Sequence, residues 1–184
     1  MFSERKTAQI AAYFLHRAGG TMEHVKLMKL MYLADREALD AYGSSISKDT
    51  MYSMKMGPVL SHTLDLMGGN YDPLCEGEWS GWISPKEHYC VSIKKEITDK
   101  SFDEMSEAEM SILEKIFKEF GDWEMRKLID YTHGFREWKN PGIGRLPIEY
   151  RDIFEALGKP EDKIAVLLEY LQDEAEISAA LASI

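Results

Sequence analysis

A carboxylate on an apolar helix face is the strongest chemical signal in this chain. Placing residues 26–40 at about 100° per residue puts Leu27, Met28, Met31, Tyr32, Ala38 and Leu39 on one broad face. Lys26, Lys29, Arg36 and Asp40 fall opposite. Asp35 lands near the centre of the apolar face, between Met31 and Leu39. Burying a carboxylate costs free energy unless it is paired or well hydrogen-bonded. Asp35 therefore requires a dedicated partner. The candidates are Lys55, His62, His133, Arg136, or backbone N–H groups at the Gly57-Pro58 turn. Two roles are open: a catalytic acid or base, or a buried anchor that fixes how the helix docks. No second acid stands in a recognisable arrangement, so the anchor is the preferred reading.

Other reactive residues do not assemble into a motif. The five histidines, His16, His24, His62, His88 and His133, are scattered, and a metal site needs several convergent ligands. Cys75 and Cys90 fit no zinc or redox spacing and read as two reduced thiols. Gly142-Ile143-Gly144 lacks the third glycine and the preceding strand of a dinucleotide fingerprint, so it reads as a surface turn. Neither a phosphate loop, a His-Glu-x-x-His pair nor a nucleophile elbow occurs. No catalytic residue, cofactor or metal is assigned, and the chain is expected not to be an enzyme. Methionine is a second resource, because it fills core gaps and also adapts to varied partners. Met28 and Met31 belong to the core by spacing, whereas Met51, Met54 and Met56 sit in an irregular stretch where partner contact is more plausible.

Charge narrows the partners. With 32 acidic against 22 basic residues, the net charge is −10. Duplex affinity rests on cations neutralising phosphates, so nucleic acid is disfavoured. A basic protein surface is favoured, since opposite potentials speed encounter. The segment Met1 to Lys6 is charged with no apolar signal core behind it. No run approaches the roughly 18 apolar residues of a membrane helix. The expectation is a cytoplasmic protein with no membrane contact. Its 184 residues suit one domain.

The elements that must hold these residues are mainly helical. Ser3 caps a first helix over 4–18, stopped by Gly19-Gly20. Thr21 is the expected cap of a second helix, 22–41, ended by Gly43. Residues 44–57 read as irregular or extended. Pro58 suits the start of a third helix through Met67, and 70–78 reads as a loop. Alternation in 87–97 predicts a strand, with Trp79 to Ser84 as its hairpin partner. Ser106-x-x-Glu109 is a capping-box pattern opening a helix to Phe120. Further helices are expected at 124–132, 149–157 and from Pro160 onward, with a loop at 139–147. The fold class is mainly α with a small antiparallel β-hairpin (α+β).

Four segments in order resemble a known family. Lys26-Leu27-Met28-Lys29-Leu30-Met31-Tyr32-Leu33-Ala34-Asp35-Arg36 is similar to the opening motif of the Panacea, or SocA-like antitoxin, domain. Tyr42-Gly43 follows it as in the family. Lys55-Met56-Gly57-Pro58-Val59 resembles its Lys-x-Gly-Pro-Val motif. Thr132-His133 followed by Glu137-Trp138-Lys139 resembles its closing threonine-histidine and tryptophan-lysine element. The likeness covers roughly 4–140 of a single domain, with 143–184 as a helical extension whose acids Asp173, Glu174 and Glu176 lie outside the motifs.

The resemblance implies a helical domain with a small β element, often encoded beside an unrelated toxin that it neutralises by direct binding. One lineage delivers its toxin to a protease instead, and that adaptor role is the alternative. An uncharacterised hydrolase or nuclease would need Asp35 or His133 in an open cleft. The motif residues Lys26, Leu27, Lys29, Tyr32, Asp35, Lys55, Gly57, Pro58, Thr132, His133 and Trp138 are expected to be structural. Lys26, Lys29 and Arg36 are expected to face outward. Tyr52, Met54, Trp79 and Trp82 are the candidate anchors for a toxin partner, with the alternative that the tryptophans pack the hairpin onto the helices.

Overall fold

The computed structural model describes residues 1–69, 78–98 and 101–182. The expected loop at 70–78, with Cys75, lies almost wholly outside them. Helix α2 (His24–Tyr42) is the axis of the molecule. Around it pack α1 (Glu4–Arg17), α3 (Ser61–Met67), α5 (Glu107–Phe120), α6 (Met125–His133) and α7 (Tyr150–Ala156), together with strands β1 (Thr21–Glu23) and β3 (Gly57–Leu60). The apolar face read from the sequence is fully engaged: Leu27, Met28, Met31, Tyr32, Ala38 and Leu39 are all buried. Helix α4 (Glu78–Trp82) lies on α1, and α8 (Glu161–Ala182) closes the chain against α7.

Local signals account for several boundaries. The Ser3 hydroxyl accepts from the Lys6 N–H at 3.2 Å and caps α1. Ser106 and Glu109 form the expected capping box of α5. Gly43 ends α2 in the left-handed region, with φ 74°. Leu167 Cδ2 from α8 would lie only 2.4 Å from a Cβ at that position, so glycine serves both the turn and the docking of α8.

Two small antiparallel sheets complete the α+β fold. One is three-stranded, in the order β3-β2-β5, where β2 is Met51–Met54 and β5 is Leu146–Ile148. The hairpin is β2–β3, with Met54 opposite Gly57 across the two residues Lys55 and Met56. Pro58 therefore lies in a strand, and the following helix begins only at Ser61. The 139–147 segment, expected as loop, supplies β5 at its end. The second sheet pairs β1 with β4 (Cys90–Ser92), setting Met22 against Val91.

The hairpin expected between 79–84 and 87–97 forms only in part. Ile83 bridges Ile93 antiparallel, with the Ser84 N–H donating to the Ser92 carbonyl at 2.8 Å and the Lys94 N–H to the Trp82 carbonyl at 2.7 Å. Trp79 to Trp82 is helix and not strand. Trp79 and Trp82 stand three residues apart and present both indoles to one side of a helical turn, where both are buried. A strand would need alternation instead. Tyr89 breaks the alternation of its own segment, with φ 66° and a ring that is 78% exposed. Thr21 belongs to β1 and does not cap α2, whose N-cap is Glu23 without a side-chain bond. Thr21 Oγ1 meets Ser92 Oγ at 2.8 Å across the ladder.

Candidate functional site

The Asp35 carboxylate is buried, and its partners are backbone and hydroxyl groups of the loop after α2. The N–H groups of Ile46 and Ser47 each donate to Oδ1 at 2.9 Å. The Ser47 hydroxyl donates to Oδ2. The partner class of backbone N–H groups was among those expected, but their place is 46–47 and not the Gly57-Pro58 turn. Among the cationic candidates, Lys55 and Arg136 are exposed, and His62 lies 3.4 Å from Asp49. Burial raises the Asp35 pKa to about 6, opposed by the Ser47 and Ile46 bonds and assisted by the negative charge of Asp49. Asp49 is itself buried and accepts from the N–H groups of His62 at 2.9 Å and Thr63 at 2.8 Å. These N–H groups belong to the first turn of α3, which has no intrahelical acceptor for them. Two acids thus pin the 44–50 loop between α2 and α3.

Lys29 departs from its expected outward position. It is 1% exposed, and its ammonium donates to the Pro58 carbonyl at 2.6 Å. Desolvation pushes its pKa down to about 7. Helical phase alone placed Lys29 opposite the apolar face, but β3 and α6 cover that side of α2. Gly57 makes this possible. Its φ is +96°, and a Cβ there would meet Lys29 Nζ and Thr132 Oγ1, each at 2.9 Å. The motif residues Lys29, Gly57 and Thr132 therefore converge on one point.

The closing motif locks the same corner. Thr132 is buried, and its hydroxyl returns to the Leu128 carbonyl at 2.9 Å. His133 stacks on Trp138 with ring centroids 4.0 Å apart. Its pKa is lowered by burial and by the nearby Lys29 charge. Trp138 Nε1 donates to the Met54 carbonyl at 3.1 Å, and the Lys139 N–H donates to Ser53 Oγ at 3.1 Å. Lys26 donates to the Gly121 carbonyl at 2.7 Å, joining α2 to the end of α5.

Sequence reasoning assigned no role to Glu137, which stands in the closing segment beside Trp138 and whose side chain is fully buried. It accepts from Arg36 Nε at 2.6 Å and from the Tyr32 hydroxyl at 3.2 Å. Arg36 also lies 4.1 Å over the Phe135 ring. Arg36 is thus partly covered, where an outward position was expected. No local signal marks Glu137, because its partners lie 101 and 105 residues away.

Beside this corner lies an apolar groove of about 300 Å³ lined by Met28, Met54, Met56, Val59 and Leu64, with Lys29 in its wall. Met54 is half-buried there and Met56 exposed. Tyr52, also half-buried, lies under the Arg145 guanidinium at 4.5 Å. The other two candidate anchors are interior. Trp79 is wholly buried and Trp82 is 7% exposed, so their rings fill the space between α4 and its neighbours and are not offered to a partner. Three of the histidines have separate partners: His24 bonds the Tyr89 carbonyl, His62 stacks on Phe2, and His133 stacks on Trp138. Among the described residues, no three His, Cys, Asp or Glu side chains converge as a metal-binding group. Gly142-Ile143-Gly144 forms an exposed turn with Ile143 fully in solvent.

No described helix is long and apolar enough to cross a membrane. Comparison with curated proteins and with solved structures finds no match. The family model described as antitoxin SocA-like, Panacea domain, matches residues 27–139. That span runs from Leu27 on the buried face of α2 to Lys139, just beyond the His133–Trp138 stack, and takes in the Lys29–Gly57–Thr132 corner. The chain belongs to the antitoxin SocA-like, Panacea domain family.

Proposed function

We propose that this chain neutralises a protein toxin by binding it directly and occluding its working surface. The observation that carries this reading is the family match over residues 27–139, which makes an antitoxin-type role the starting point. The geometry of the motif residues supports it. Lys29, Tyr32, Asp35 and Thr132 are interior and bonded to the protein's own groups. Such residues hold a scaffold, and the scaffold's exposed surfaces remain for a partner. A net charge of −10 favours a partner with a basic face.

Co-expression with the product of the neighbouring gene tests the proposal. The expected result is restored growth together with a stoichiometric complex that survives size-exclusion chromatography. Restored growth with no complex would overturn occlusion in favour of an enzymatic or regulatory route.

A further inference from the structure

Helix α8 carries two apolar rows, and the fold buries one. Ile164, Leu167, Leu168 and Leu171 pack against the core. At about 100° per residue, Val166, Tyr170, Ile177 and Leu181 form a second row beside the first. These four side chains are 64%, 54%, 62% and 67% exposed. The row is about 22 Å long at about 1.5 Å per residue. The row consists of two i,i+4 pairs, Val166–Tyr170 and Ile177–Leu181, aligned on one side and separated by the Asp173–Glu174 turn. Scattered surface leucines need no explanation, but exposed apolar pairs aligned along one helix face mark an interaction site.

The charge beside the row is one-signed. Glu169, Asp173 and Glu176 follow one edge of it by helical phase, and residues 164–184 contain no Lys, Arg or His. Glu174 is neutralised by Lys48 at 2.7 Å and bonded by Ser44, which ties α8 to the pinned 44–50 loop. Glu169, Asp173 and Glu176 have no ion pair among the described residues.

We propose that this outer face of α8 docks a basic amphipathic helix of the toxin; the inference rests on the antitoxin reading above. Charge decides among the occupants. An antiparallel second copy would set Glu169, Asp173 and Glu176 against the same edge of its twin, and like charges oppose that pairing. A parallel copy would need the other edge of the row, where Glu174 and Ser178 are half-buried against the body. An anionic membrane surface is repelled by the same acids. A helix with an apolar stripe and a flanking row of Lys or Arg satisfies both features, in the helix-to-groove mode of recognition. The site lies outside the family match, which stops at residue 139.

The test uses the full chain and the purified product of the neighbouring gene. The double variants Val166→Ser/Tyr170→Ser and Ile177→Ser/Leu181→Ser are expected to bind at least about thirtyfold more weakly, as for loss of an interface hot spot. Their melting temperatures stay within about 2 °C of wild type, as for surface substitutions. The triple variant Glu169→Lys/Asp173→Lys/Glu176→Lys removes no apolar contact and is expected to slow association. It decides the matter if a double variant loses stability. If the wild type binds the toxin and all three variants bind equally well, this face is not the contact and the antitoxin reading stands. If the wild type does not bind the toxin, both fall. A wild-type dimer that Ile177→Ser/Leu181→Ser disperses would assign the face to a second copy and overturn the proposal.

Discussion

Helices α2 and α8 are the two longest in the described chain, and they are used in opposite ways. Among the 19 residues of α2, 11 are buried, including the charged side chains Lys29 and Asp35. Each of these two has its own dedicated acceptor or donors. Among the described residues of α8, only Ile164 is fully buried, and four large apolar side chains face water. An interior helix tolerates charge only where every polar group is answered. A surface helix has no such constraint and can carry an unanswered apolar row. The family match begins within α2 and ends before α8, which fits a shared scaffold carrying a more individual contact surface.

The largest effect should follow from breaking the Asp35 hub. Asp35→Ala leaves the Ile46 and Ser47 N–H groups and the Ser47 hydroxyl without their acceptor. At about 1–3 kcal/mol for each of these buried groups, the summed loss should be at least about 3 kcal/mol. Urea denaturation measures it. A variant as stable as wild type would show that the 44–50 loop is held by something else.

Gly57→Ala should come next, at about 2–3 kcal/mol. The alanine would occupy a left-handed backbone and crowd both Lys29 Nζ and Thr132 Oγ1. A parallel Gly142→Ala variant meets no neighbouring atom, so its smaller loss in the same thermal melt isolates the crowding contribution.

Lys29 gives a pH-dependent effect, smaller than these over any single pH unit. Its folded pKa is pushed down to about 7 by burial. Between about pH 7 and 10 the unfolded chain holds a proton that the folded chain has released. Stability therefore rises with pH, by up to about 1.4 kcal/mol per unit, and is lost again as pH falls through 7. Lys29→Met should abolish that rise. Denaturation of both proteins at pH 7, 8 and 9 reads the difference, and parallel profiles would mean that Lys29 is not desolvated in solution.

The smallest effect should be at α8. Val166→Ser is expected to change stability by less than about 0.5 kcal/mol. A larger loss would mean that the outer row packs within the molecule, and the contrast with α2 would fail.

The helices were legible in the sequence wherever their signals were local. Ser3, Gly43 and the Ser106/Glu109 pair act within a few residues of themselves, and the α2 face follows from helical phase. The strands were less legible. The i,i+3 spacing of Trp79 and Trp82 puts both indoles on one side only in a helical turn, but a run of five residues is too short for that spacing to announce itself until α4 packs on α1. Strand β4 finds its partner at Thr21–Glu23, some 70 residues earlier. Of the site, Asp35 was recognisable as a buried anchor because it violated its own helix face. Glu137, though part of the closing segment, violated nothing nearby, and its burial against Tyr32 and Arg36 was not foreseen.

Residue order alone decided the apolar face of α2, the caps at Ser3 and Ser106 and the need for Asp35 to have a partner, because each follows from backbone geometry over one or two turns. Tertiary structure alone decided that Lys29 is interior. A helical wheel distinguishes one apolar face from the rest, but it does not say how many sides of a helix the neighbours will cover. Here β3 and α6 close over the second side of α2, and the missing side chain of Gly57 leaves the space that the Lys29 ammonium fills.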